Sequence, residues 1–198
     1  TCSVPMALGE LGRAVSLLHA IGVPVVVGGR ALGDSPRRAE MLGAAGWGAD
    51  VLSALDPAPP ALPSGLDEYG PSGVELQVEV ALAADAWEAS AMQRLEELMP
   101  EVSSFPAPLA ARTRADLRHL IDMTGTSLRL HEEELLLEQC VWLQKVLLAR
   151  SVPAAALPHG LAALRDTAPL LRPVTSALVQ GLLEDADEAV REVSVAGR

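Results

Sequence analysis

Between residues 56 and 73 the chain reads DPAPPALPSGLDEYGPSG, with five prolines and three glycines in eighteen residues. Proline offers no backbone N–H and its ring clashes with the preceding turn, so this stretch can hold neither a helix nor a central strand. It is read as an interdomain linker over 57–73. The rest of the chain then falls into a segment of 1–56 and a segment of 74–198 with different grammars.

The first segment alternates helix and strand signals. In GELGRAVSLLHAIG, Leu11, Val15, Leu18 and Ile21 fall near helical spacing, and Gly22 suits the left-handed position after a helix. VPVVV is apolar and mostly β-branched, as expected of a parallel strand covered on both faces. Ser35 then serves as a helix cap with Pro36 in the first helical position. RRAEMLGAAG is a short helix ending at Gly43 or Gly46, and WGADVLSAL carries a last short strand and the start of a further helix.

The second segment is helical to its end. VELQVEV alternates with period two, but Leu76, Val80, Ala84, Trp87, Ala91, Leu95 and Leu98 form one longer helical stripe, which takes precedence. Pro100 and SSFPAP close that helix. Thr113 and Asp116 form a capping box for the next, which buries Leu117, Leu120, Ile121 and Leu128. A third helix spans about 132–150, with Leu135, Leu136, Cys140, Leu143, Val146 and Leu147 inward. SVPAAALPHG interrupts. A fourth buries Leu161, Leu164 and Ala168, and a fifth opens at Pro173 and buries Leu178, Leu182 and Val190. Short loops between such helices imply antiparallel neighbours in a bundle. The expected fold class is therefore α/β, a partial parallel sheet of Rossmann-like character, followed by an all-α helical bundle.

Composition supports the helical part and narrows the function. Apolar residues make up 49% of the chain, yet it has one Phe, one Tyr and three Trp, so its core is Ala, Leu and Val. A net charge of −11 argues against direct nucleic-acid binding, which needs clustered Lys and Arg. The basic clusters Arg37-Arg38 and Arg112 to Arg118 are too small to reverse it. No apolar run reaches the ~18 residues of a membrane span. Cys2 and Cys140 lack metal-ligand spacing, no signal peptide is visible, and two distant thiols suit a reducing cytoplasm. The opening TCSVPMALGE has no initiator Met and reads as if entered partway through a domain.

No catalytic constellation emerges, so a non-enzymatic role is expected. His19 reads as a partly buried helix residue, His119 and His131 as helix-surface or terminal residues, and His159 as a turn residue after Pro158. None pairs at zinc spacing. Glu132, Glu133 and Glu134 are adjacent, so they point to different sides of a helix whose positive end they suit. EDADEAVREV reads as a solvated face. Cys140 lies in an apolar stripe as a structural thiol. Trp87 and Trp142 read as core anchors, the alternative being aromatic cover for a cofactor.

The glycines of VVVGGRALG remain. GGRALG is neither Gly-x-Gly-x-x-Gly nor a Walker loop. Gly28 and Gly29 either let the strand turn sharply or leave room for a flat ligand at the carboxyl edge of the sheet, where open α/β sheets bind ligands. The order TCSVP, helix, VPVVVGGR, helix, GAAGWGAD resembles the C-terminal half of the cobalamin-binding domain, a flavodoxin-like module. In that family a Ser-x-Leu or Ser-x-Thr stretch and a later Gly-Gly line the tunnel for the nucleotide tail. Thr1 and Ser3 match the first approximately, Gly28 and Gly29 match the second, and GWGAD is similar to the closing segment. The resemblance thus implies cobalamin as cofactor and Thr1, Ser3, Gly28, Gly29, Arg30, Trp47 and Gly48 as binding residues. VWLQKVLLARSVPAAAL is similar to helices fused to such domains in bacterial regulators.

The family's Asp-x-His-x-x-Gly, which supplies the lower cobalt ligand, does not occur in this sequence. No cobalt ligand is assigned, and weak binding of free cobalamin is expected. The implied function is a cobalamin-binding sensory or regulatory protein whose bundle reorients against the module, with a corrinoid and a regulatory protein or second copy as partners. The alternatives are a cofactor-free helical interaction module with a vestigial α/β segment, and a subunit of a corrinoid methyltransferase or mutase.

Overall fold

The computed structural model describes residues 7–49 and 72–196. The linker over 57–73 lies outside them except for Ser72 and Gly73, as do Thr1, Ser3 and the helix expected after WGAD. Contacts divide the chain into two compact units: Thr1–Glu75 with Arg129–His131, and Leu76–Leu128 with Glu132–Arg198. The described residues are mostly helical, with a small parallel sheet of two strands.

In the first unit, α1 (Leu8–Ala20) buries Leu8, Gly12 and Val15. Leu18 and Ile21, expected inward, are exposed, Ile21 at 74%. The inward face is turned toward Gly12, where a Cβ would stand 3.0 Å from Leu42 Cδ2. A count of apolar side chains gives a glycine no weight, yet here the glycine sets the close approach. Gly22 ends the helix as expected: at φ 76° its N–H donates to His19 O, and Val23 N–H donates to Leu18 O.

Strands β1 (Val26–Gly28) and β2 (Gly46–Gly48) are parallel, with Val26 opposite Gly46, Val27 opposite Trp47 and Gly28 opposite Gly48. Val27 is buried, but Val23 and Val26 are exposed, so among the described residues the strand is not covered on both faces. A 3-10 turn (Arg30–Leu32) and α2 (Arg37–Met41) connect the strands. Pro36 stands in helical geometry just before α2, and no side chain caps it, Ser35 included. Gly43, at φ 76°, releases the chain toward β2, with Ala44 N–H donating to Ala39 O.

Helix α3 (Gly73–Leu98) is continuous, so the period-two reading of its first turns fails. Leu76, Val80, Ala84, Trp87, Ala91 and Leu95 are all buried, as the stripe required, and Leu98 at its end is half-buried. Its start carries a capping box that the sequence reading overlooked: Glu75 Oε2 accepts from Ser72 N–H at 2.8 Å, and Glu75 N–H donates to Ser72 Oγ at 3.3 Å. The box expected at Thr113 is absent. Helix α4 (Ala107–Leu130) starts earlier, straight after Pro106, and Thr113 lies inside it with Oγ1 donating to Leu109 O. Proline is tolerated in a first turn, so Pro108 opens α4 instead of breaking the chain.

Helices α5 (Glu134–Ala149), α6 (Ala156–Thr167) and α7 (Pro173–Ala196) complete the second unit. Pro158 and His159 again fall in a first turn, inside α6 and not in the expected break. Leu135, Leu136, Cys140, Leu161, Leu164, Ala168, Leu182 and Val190 are buried as expected, whereas Leu178 is exposed. Of the two tryptophans read as anchors, Trp87 is fully buried and donates from Nε1 to Leu164 O at 3.0 Å. Trp142 is 53% exposed and anchors nothing. The tail is amphipathic, not wholly solvated: Ala186 and Val190 are buried, and Asp187 accepts two bonds from Arg191.

Glu79 of α3 clasps the start of α7. Its carboxylate accepts from Arg172 N–H at 2.6 Å, Arg172 Nε at 2.7 Å and Thr175 Oγ1 at 2.6 Å. Burial alone raises its pKa, but these donors and the Arg172 charge outweigh that and hold the group below its ordinary range. A depressed folded pKa adds stability above the unfolded value, lost as pH falls through the folded one. Glu79→Gln should therefore lower the melting temperature at pH 7 and flatten the acid limb of the stability profile, as thermal denaturation across pH will show.

Candidate functional site

The candidate residues lie where β1 and β2 end. Gly28 pairs with Gly48, and a Cβ on Gly28 would stand 2.7 Å from Gly48 O. The sheet itself therefore demands glycine at 28, whatever else this edge does. Gly29 follows at φ 117°, ψ 161°, a region that only glycine enters without strain. The chain then turns, Leu32 N–H donating to Gly29 O and Gly33 N–H to Arg30 O. Arg30 is exposed at the start of this turn and Gly48 is buried. The result is an edge of the sheet with bare backbone at Gly28, Gly29 and, across from them, Gly48.

Trp47 stands between Gly46 and Gly48 and is half-buried. Its Nε1 is shielded from solvent and has no acceptor among the described residues. A shielded, unpaired donor costs about 1–3 kcal/mol, so such a group calls for a partner. Five of the seven expected binding residues, Gly28, Gly29, Arg30, Trp47 and Gly48, thus come from two paired strand ends and the turn after one of them. Thr1 and Ser3 lie outside the described residues.

Arg129 is the residue of this unit that the sequence reading missed. It is buried, and its Nε and Nη2 donate to Met41 O at 3.2 Å and Leu42 O at 2.8 Å. It thereby satisfies the last carbonyls of α2, the end at which a helix favours a cation. Desolvation lowers its pKa from the usual arginine value, which still leaves a cation at neutral pH. Gly12 makes room for the guanidinium: a Cβ there would lie 3.1 Å from Arg129 Nη1. A signal was present, because Arg129 continues the buried i, i+4 row of Ile121 and Gly125. Replacing Arg129 with Met should destabilise the first unit by about 1–3 kcal/mol through the unpaired carbonyls, visible as faster amide exchange in α2 and Ala44.

Of the histidines, His131 is terminal and exposed as expected, whereas the others differ. His19 and His131 are exposed, while His119 and His159 are half-buried. His119 Nε2 and His159 Nδ1 are shielded and without partner among the described residues. No group of three or more His, Cys, Asp or Glu able to hold a metal occurs among the described residues, and no helix there is long and apolar enough to cross a membrane. Cys140 is fully buried, and desolvation pushes its thiol up to about 12. In a Cys2→Ser variant, Cys140 should resist thiol reagents at pH 8 until denaturant is added; the rate of modification measures it.

No protein-family model matches the sequence, and no match to it was found among curated proteins.

Proposed function

We propose that this chain belongs to a cobalamin-dependent regulatory protein, its first unit being the C-terminal half of a flavodoxin-like module that holds the nucleotide tail of a corrinoid. The observation that carries this reading is the parallel pairing of Gly28 with Gly48, followed by Gly29 at φ 117°. It leaves bare backbone at Gly28, Gly29 and Gly48 on the carboxyl edge of the strands, at the place where open α/β sheets receive ligands. The shielded indole N–H of Trp47 adds a donor in need of an acceptor. Gly28, Gly29 and Gly48 would present bare backbone to a flat heterocycle, and Trp47 would donate to it or to its ribose phosphate.

These residues suit a nucleotide tail and not a metal, and no residue of this chain is assigned to cobalt. When bound, the corrinoid supplies a cobalt centre whose chemistry lies beyond the residues described. The chain's own part is to bind the tail, exclude water from it and favour one of two conformational populations, which requires different contacts in each. A regulatory protein partner in the cytoplasm would read that shift. The acidic surface offers no footing for nucleic acid.

The test uses the tail fragment alone, the dimethylbenzimidazole ribonucleotide, so that a missing cobalt ligand does not mask it. Titration should move the Trp47 indole N–H resonance, assigned through Trp47→Phe, and cobalamin should compete where cobinamide, which lacks the tail, does not. Gly29→Val, which forbids the backbone turn, should abolish the shift. An unmoved Trp47 resonance, or equal competition by cobinamide, would sink the proposal.

A further inference from the structure

Trp142 is the largest exposed apolar side chain among the described residues, 53% open on the outward side of α5. Ala149, two turns on in the same row, is small and exposed, and Val146 beside them is half-buried. Leu136, Cys140 and Gln144 hold the helix from behind, where all three are buried. Leu135 is buried at the first turn, so the open face runs from Glu138 to Ala149.

Two charges on this face indicate what covers it. At about 100° and about 1.5 Å per residue, Glu138 lies about 6 Å before Trp142 along the helix and about 40° to one side. Lys145 lies about 4.5 Å beyond Trp142 and about 60° to that same side. Both are exposed, and neither has an ion-pair partner among the described residues. Other cations of this unit, Arg94, Arg118, Arg172 and Arg191, already hold carboxylates of their own chain.

A two-fold axis beside Trp142 and perpendicular to α5 inverts position along the helix and preserves the side. Lys145 of one copy thus comes level with the partner's Glu138, to within about 1.5 Å along the axis, and the symmetry forms the pair twice. On the other side Val146 meets the partner's Gln139, and the two indoles meet at the centre. The helix dipoles oppose as well. A parallel pairing would set Glu138 level with Glu138 and Lys145 level with Lys145.

We propose that the outward face of α5 is a self-association surface, on which a second copy of the chain docks antiparallel with the two Trp142 side chains at its centre. The surface lies wholly in the helical unit and stands apart from the corrinoid reading.

Sedimentation or light scattering of the full chain over a roughly hundredfold range of concentration should show a dimer. Trp142→Glu should weaken it at least ~10-fold, as expected for an aromatic at an interface centre. Lys145→Glu should weaken it at low salt and less so at high salt. Adding Glu138→Lys to that variant should restore the dimer, because the swap rebuilds both pairs. Lys145 is the chain's only lysine, so a carbodiimide should join two copies through Lys145 and Glu138. If circular dichroism shows Trp142→Glu unfolded, the charge variants, both at exposed positions, decide. A chain that is monomeric throughout, including one that takes up a different protein, overturns the proposal. So does a dimer that a folded Trp142→Glu leaves intact, or one whose strength does not follow the charges at 138 and 145.

Discussion

The buried stripe of α3 is the constraint on which the helical unit depends. Three other helices are placed against that one surface by different means. Gly125 of α4 fits because a Cβ there would already press within 3.1 Å of Val80 Cγ1. Leu164 of α6 is tied by its carbonyl to the Trp87 indole, the largest fully buried side chain of the core. Thr175 of α7 and Arg172 just before it are tied to Glu79. Steric fit, a neutral hydrogen bond and a charge-assisted clasp thus act along one rod, the fit and the clasp at the adjacent Val80 and Glu79 and the hydrogen bond two turns on at Trp87. That gives each neighbouring helix a defined lengthwise position where uniform apolar packing would let it slide.

The parts of this fold that the sequence makes legible are those written in side-chain periodicity. The stripe from Leu76 to Leu95 outweighs a locally convincing strand pattern because a long amphipathic helix buries more than one short strand could. Left-handed glycines were equally legible, since Gly22 and Gly43 end their helices for a reason local to the backbone. Helix starts were not. Ser72 and Glu75 meet the capping-box rule as well as Thr113 and Asp116 do, and only the run of residues that follows decides which pair is used. Proline read as a break at Pro108 and Pro158, where the chain had just entered a helix and no internal bond was lost.

At the candidate site the glycines were visible and their cause was not. Sequence alone leaves open whether Gly28 and Gly29 serve a turn or a ligand. The structure separates the two residues: Gly28 answers to the carbonyl of Gly48 across the sheet, and Gly29 to its own φ. The row of Ile121 and Gly125 places Arg129 inward, but its partners were out of reach, because Met41 and Leu42 are distant in sequence and offer only main-chain oxygens. Pattern rules describe side chains along one element, and backbone acceptors on another element leave no mark in them. The misjudged apolar positions, Ile21, Trp142 and Leu178, share a related origin. Periodicity ranks residues by hydrophobicity, but how far a core extends depends on which neighbours arrive.

The three tryptophans sit at three depths, and this gives the molecule an optical property of its own. Trp87 is dry and hydrogen-bonded in the helical core, Trp47 is half-buried at the strand edge, and Trp142 stands in water on α5. Indole emission moves to longer wavelength as its surroundings become polar and mobile, so the chain's fluorescence is a sum of separable colours. An aqueous quencher reaches the red component first, and the blue component is lost only when the helices part. The chain thus reports on its own core and surface in a single spectrum, without a label.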